Sequence, residues 1–153
     1  MGCECKQLKD EVLDYVTKSQ FAVLNYVRAD KAPVSRAMGS FVPSGLDLYF
    51  SSKKEAAKVK EIATNKRVSF FFEHENQELS AWKNVLFIGD AELVEGGAEL
   101  DKAVELLSAR NPRFKERVAK GELPQTAIFR VKTREIEYLD RTKGQGFVKK
   151  LTV

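Results

Sequence analysis

The feature that most constrains this chain is a succession of short runs rich in aromatic and β-branched residues, punctuated by turn residues and interrupted only three times by helical periodicity. Phe21 to Val27 is the first run, with Phe21, Val23 and Val27 on one face and Leu24 and Tyr26 on the other, the two-residue alternation of a strand. Ala29-Asp30-Lys31-Ala32-Pro33 makes a polar turn, Val34 to Val42 resumes extended character, and Pro43-Ser44-Gly45 turns the chain again. Leu46 to Phe50, Arg67 to Glu73, Val85 to Val94, Thr126 to Val131 and Ile136 to Leu139 complete the strand set, and Gly89 marks a bulge or tight bend inside the longest run. The consecutive Phe70, Phe71 and Phe72 must alternate faces, which assigns them to packing.

Helical spacing appears at Leu8, Val12, Leu13, Tyr15 and Val16, then from Lys54 to Ala63, then from Glu99 to Ala109 with a further piece opened by Asn111-Pro112 and running to Val118. Strands joined by short turns, with helices only at intervals, predict a mainly β fold: a six- to seven-stranded antiparallel barrel with peripheral helices, in one domain over 1–153. Residues 1–6 are expected to fray, and Thr142 to Gly146 to form a flexible stretch.

A chain of 153 residues can bury roughly 70% of its unfolded surface without a disulfide staple. Cys3 and Cys5 are too close for an ordinary bridge, and with His74 as the sole histidine no zinc set is available. No apolar run approaches the ~20 residues that span a bilayer, and the N-terminus has no signal-peptide pattern, so a cytoplasmic protein without membrane association is expected. The 26 Lys and Arg are interleaved with 22 Asp and Glu, which argues for solubility and at most a local anion site rather than a nucleic-acid surface.

Phosphate loops, nucleophile elbows and His-Glu-x-x-His helices are all lacking. What remains is the junction Phe50-Ser51-Ser52-Lys53-Lys54, followed by Lys58, where hydroxyls, ammonium groups and free helix amides can converge on a phosphate. The same residues also read as a capping box, Ser52 with Glu55. Arg36 is either an exposed strand arginine or a ligand to an anion; Trp82 either seals a barrel end or covers a flat ligand; His74 reads as a solvated loop residue.

Taken in order, Pro33-Val34-Ser35-Arg36-Ala37-Met38, Leu48-Tyr49-Phe50-Ser51-Ser52 leading to Lys58, Asn65 to Ser69, Trp82, Val85 to Leu93, Phe129-Arg130-Val131 and Ile136 to Asp140 resemble the FMN-binding split-barrel family related to pyridoxamine 5′-phosphate oxidase, over most of the chain. The resemblance implies a Greek-key split barrel that forms a homodimer with FMN at the subunit interface. Arg36, Ala37 and Met38 would line the isoalloxazine, Ser51 and Ser52 would contact its edge or the ribityl chain, and Lys58 would hold the phosphate, assisted by Lys53 or Lys54. Trp82, Lys83 and Asn84 would reach the flavin from the second subunit. Ala56 stands where many relatives carry an arginine, and the Arg-x-His substrate pair of the true oxidases is absent, so the resemblance implies an FMN-dependent oxidoreductase other than the vitamin B6 oxidase, acting on an unknown small-molecule electron donor or acceptor. The alternative is a non-catalytic FMN carrier or electron-transfer module; no side chain is assigned as acid or base. A haem-binding relative would need an axial ligand that the single histidine supplies poorly.

Overall fold

The computed structural model describes residues 2–153. Its elements are α1 (Gly2–Thr17), β1 (Ala22–Val27), β2 (Pro33–Met38), β3 (Phe41–Ser44), β4 (Asp47–Lys53), α2 (Ala57–Thr64), β5 (Arg67–Glu73), β6 (Lys83–Leu93), α3 (Gly97–Arg110), α4 (Pro112–Ala119), β7 (Thr126–Asp140) and β8 (Val148–Thr152). All strand pairs are antiparallel, in the order β2-β1-β5-β6-β7-β4-β3, and β8 adds to β7 beside that path. β2 and β3 therefore sit at opposite edges of the sheet although only Gly39 and Ser40 separate them in the chain. Such a connection curls the two edges toward each other without a complete ladder between them, which is the split of the expected barrel.

Alternation decides what fills the interior. Ala22, Leu24 and Tyr26 of β1 and Val68, Phe70 and Phe72 of β5 point inward, while Val23, Asn25, Ser69 and Phe71 face outward and are half-buried. Phe50 stacks on Phe129 at 5.0 Å between ring centroids, and Phe72 meets Phe41 and Phe87 edge-on, both at 5.5 Å. Burying each such ring stabilises the fold by roughly 1.5–3 kcal/mol. α1 closes one end of this core with Val12, Tyr15 and Val16. A second apolar layer lies outside the barrel, where Val42, Tyr49 and Ile128 pack against Ala103 and Leu107 of α3 and Phe114 of α4.

The bulge expected at Gly89 is present: the β6–β7 register shifts between Ile88 and Gly89. A Cβ on Gly89 would stand 2.3 Å from the Lys132 carbonyl oxygen, so only glycine allows this approach. The shift turns Arg134 toward Asp90, whose buried carboxylate accepts from Arg134 Nε at 2.6 Å and from Arg67 Nε at 2.7 Å.

Several boundaries differ from the sequence pattern. The two closing strands expected at 126–131 and 136–139 are one continuous strand, because Lys132 to Glu135 stay extended where the bulge lets β7 follow a bent β6. The single run expected at 34–42 is instead two strands on opposite edges. The stretch at 142–146 is partly ordered: Arg141–Lys143 form a 3-10 turn held by Asp140, which accepts from Thr142 N at 2.9 Å, and it leads into β8, which periodicity does not mark. α1 begins at Gly2, ahead of the apolar positions that betray it; Met1 and the Cys3 side chain lie outside the described residues, and Cys5 is exposed.

Candidate functional site

The site is built where β2 leaves the sheet edge. The register pairs Leu24 with Arg36 and Ala22 with Met38, which puts Arg36 and Met38 on the barrel side of β2 and Ala37, opposite Val23, on the outer side. Because β2 has no neighbour beyond it, Arg36 is exposed and, among the described residues, its guanidinium hydrogen-bonds only the Ser35 carbonyl, at 3.0 Å. Lys58, in the first turn of α2, swings over this edge until its Nζ is 3.6 Å from the Met38 sulfur. Burial and the nearby Arg36 charge push the Lys58 ammonium below the ordinary lysine range. No carboxylate pairs with either cation among the described residues. Two cations held together without a counterion form a place where an anion removes a repulsion as well as making bonds.

The helix end supplies more donors. β4 runs on to Lys53 and α2 starts only at Ala57, with Ala56 at the cap and no side chain satisfying the first amides. The capping-box reading of Ser52 and Glu55 is thereby corrected: Ser52 is inside a strand, its hydroxyl directed at the Lys53 carbonyl at 3.4 Å. Uncapped amides and the helix dipole both favour negative charge beside Lys58.

Ser51 and Ser52 are buried polar residues of β4. Ser51 donates its backbone N–H to the Ser40 carbonyl at 3.1 Å, and the two serine hydroxyls share a hydrogen bond. Since Ser40 follows Met38 and Gly39, this pairing ties the β4 hydroxyls to the end of the strand that carries Arg36 and Met38. Ser40 carries no distinguishing pattern in the sequence; its role comes from lying at the split.

Not every expected residue joins this group. Lys53 is exposed at the end of β4, and Lys54 lines a separate apolar cleft with Val59, Leu123 and Thr126. Trp82 and Asn84 lie at the start of β6, which β1 and β5 separate from β2, and both donate to the Glu73 carboxylate, at 2.8 and 3.1 Å. Within one chain they touch none of Arg36, Met38 or Lys58. His74 is not a solvated loop residue: its ring stacks on Tyr15 at 3.7 Å, and its Nε2 is 2.9 Å from the Ser19 hydroxyl and 3.0 Å from the Tyr15 carbonyl. Only a long-range contact to α1 could reveal that, and no local pattern encodes it.

Residues 8–140 match the family model described as pyridoxamine 5′-phosphate oxidase. The chain belongs to the pyridoxamine 5′-phosphate oxidase family. Comparison with curated protein sequences finds no match. Among solved structures, a heme binding protein from Mycobacterium smegmatis is similar with a TM-score of 0.80 and 15% identity, over 94% of this chain and 57% of that one. Campylobacter jejuni ChuZ is similar with a TM-score of 0.78 and 12% identity, over 96% of this chain and 60% of that one. General stress protein 26 from Bacillus anthracis str. Sterne gives a TM-score of 0.71 and 20% identity, over 96% of this chain and 99% of that one. At these identities the likeness establishes the family's fold, and the chain spans little more than half of the first of these proteins. Among the described residues no helix is long and apolar enough to cross a membrane, and no group of three His, Cys, Asp or Glu side chains is placed to hold a metal ion.

Proposed function

We propose that the chain binds FMN as a homodimer and acts as a flavin-dependent oxidoreductase distinct from the vitamin B6 oxidase. The observation that carries this reading is the half-buried Lys58 ammonium, set beside Arg36 and an uncapped helix end with no carboxylate to neutralise it. That donor set fits a phosphate monoester. Lys58 and the first α2 amides hold the phosphate, Ser51 and Ser52 hydrogen-bond the polar edge of the flavin, and the edge of β2 from Arg36 through Ala37 to Met38 lines its ring. Trp82 and Asn84 serve the site from the second subunit, which accounts for their distance from Lys58 within one chain. Bound FMN supplies the electron transfer; the protein orients it and keeps one face open.

An absorption spectrum of the purified protein after excess FMN and desalting tests the reading. Retention of about one flavin per chain is the expected result, and a colourless protein refutes it. Oxidation of NADH or NADPH by the loaded protein then separates an oxidoreductase from a passive carrier.

The M. smegmatis neighbour raises haem as a second ligand. The His74 ring is stacked on Tyr15 and its Nε2 is engaged, which disfavours it as the axial ligand. A Soret band in the same spectrum after haem addition, lost in a variant of another side chain, is the outcome that would favour haem.

A further inference from the structure

A large open cleft lies beside the proposed flavin site rather than on it. It encloses about 1000 Å³ and is floored by Gly39 and Ser40, the residues that continue β2 past Met38. Phe21, on the outward face it shares with Val23 and Val27, stands in its wall with 63% of its surface exposed. The Phe21 ring lies against Gly39, where an added Cβ would come within 3.6 Å of it. A smaller cleft of about 340 Å³ shares Lys18, Gln20 and Phe21 with the first and is otherwise lined by Glu73, His74, Glu75 and Asn76, so the exposed ring stands between a cationic trench and an acidic cleft. An exposed aromatic face beside a backbone with no side chain is a stacking platform for a flat ring.

The opposite wall is cationic. Lys18, Arg110, Arg113, Arg117 and Lys120 line the large cleft, against two glutamates. Three of these five are already committed. Arg110 donates to the Thr17 carbonyl at 2.8 Å and to the Ser19 carbonyl while its guanidinium covers Phe41 at 4.5 Å; Lys18 pairs with Asp14 and Lys120 with Glu116, each at 3.0 Å. Arg117 lies over the Phe114 ring at 5.8 Å, and neither it nor Arg113 has a carboxylate partner among the described residues. Arg113, Arg117 and Lys120 follow one another at helical spacing on α4 and its cap, so they occupy one face over about 10 Å of axis. Arg113 and Arg117 stand one turn apart, about 6 Å along the axis, a spacing that two linked phosphates bridge.

We infer that this trench binds a nucleotide carrying a pyrophosphate, with its flat ring on Phe21 and its phosphates along Arg113 and Arg117. The volume agrees, since it stands at the upper end of the ~300–1000 Å³ range of small-molecule sites and exceeds what one phosphorylated pyridine ring fills. That this nucleotide is the reaction partner of the flavin rests on the FMN reading above; its binding does not.

Calorimetric titration with NADP⁺, with pyridoxal 5′-phosphate and with inorganic phosphate, on the protein with and without added FMN, tests the assignment. NADP⁺ is expected to bind about tenfold or more tightly than either smaller anion, with affinity falling as salt rises. Arg113→Ala with Arg117→Ala lowers NADP⁺ affinity about tenfold or more, and Phe21→Ala lowers it several-fold; Phe21 and Arg113 are exposed, Arg117 is half-buried over Phe114, and melting curves on each variant check that the fold is kept. Equal affinity for NADP⁺ and pyridoxal 5′-phosphate, or full affinity in the folded double variant, overturns the inference. A protein that retains no FMN yet binds NADP⁺ in this way loses the flavin reading and keeps the trench; one that retains FMN and ignores NADP⁺ loses the trench alone.

Discussion

Lys58 combines three properties that rarely meet in one lysine: partial burial, a cationic neighbour and no acid to pair with. Each disfavours the ammonium form in the empty site, and a phosphate reverses the balance by supplying the missing charge. Removing the side chain by Lys58→Ala weakens FMN binding by about 1–3 kcal/mol, the worth of a charge-assisted hydrogen bond. The pH dependence follows from the sign of the shift. Phosphate binding needs the protonated amine and raises its pKa again, so FMN affinity is full below the depressed free-protein pKa and falls as pH rises through it, before the ordinary lysine range is reached. Fluorescence titration of FMN across neutral to alkaline pH reads this directly, and Lys58→Arg, charged throughout, flattens the curve. A decline unchanged by the arginine substitution would place the titrating group elsewhere. Asp90 shows the opposite logic: hydrogen bonds from Arg67 hold its carboxyl below the usual range despite burial, with Arg134 adding to the effect, so it stays an anion that fixes β5, β6 and β7 together.

At the scale of elements, Gly89 lets the longest strand pair bend. Gly89→Ala forces a Cβ against a backbone carbonyl that cannot rotate away, and costs about 1–3 kcal/mol or more, read as a lowered midpoint in denaturant unfolding with an unchanged slope. An alanine variant of wild-type stability would mean that β7 relaxes freely at the bulge. This feature was legible because a glycine weakens the interior of an apolar strand and is kept there mainly where the backbone bends or another chain segment comes close. Central strands and the helices α2, α3 and α4 were legible for a similar reason, since alternation or helical spacing is carried by the residues themselves. Less was readable where tertiary geometry overrides local pattern. Gly39-Ser40 divides one extended run between two sheet edges; Lys132 to Glu135 are polar yet extended because β6 lies beside them; Ser52 satisfies a capping pattern and is nevertheless held in the β4–β7 ladder opposite Ala127. In the site, Arg36, Met38 and Lys58 could be named from their order along the chain, whereas Ser40 and the cleft walled by Phe21 and α4 exist only once the edges of the sheet curl together.

The whole molecule leaves one face of its barrel incompletely covered. Register aligns Ala37, Val23, Phe71 and Leu86 in one row across β2, β1, β5 and β6, and Asn25, Ser69 and Ile88 in the next. These outward residues are half-buried at most, apart from the exposed Ala37, and the row starts on the strand that carries Arg36 and Met38. A second copy seated on this face would bury apolar surface and bring its own side chains against Ala37, joining dimerisation to completion of the flavin site. Phe71→Glu sets a charge at the centre of that row while leaving the inward Phe70 and Phe72 undisturbed, so the barrel persists but the association does not. The expected outcome is a folded monomer in sedimentation equilibrium that has lost at least tenfold in FMN affinity, since burying an unpaired carboxylate costs several kcal/mol. A monomer that still binds one FMN per chain at full strength would show that a single subunit holds the whole site. A dimer that survives the substitution would move the interface to another face and leave Trp82 and Asn84, anchored on Glu73, without a route to the flavin of a neighbour.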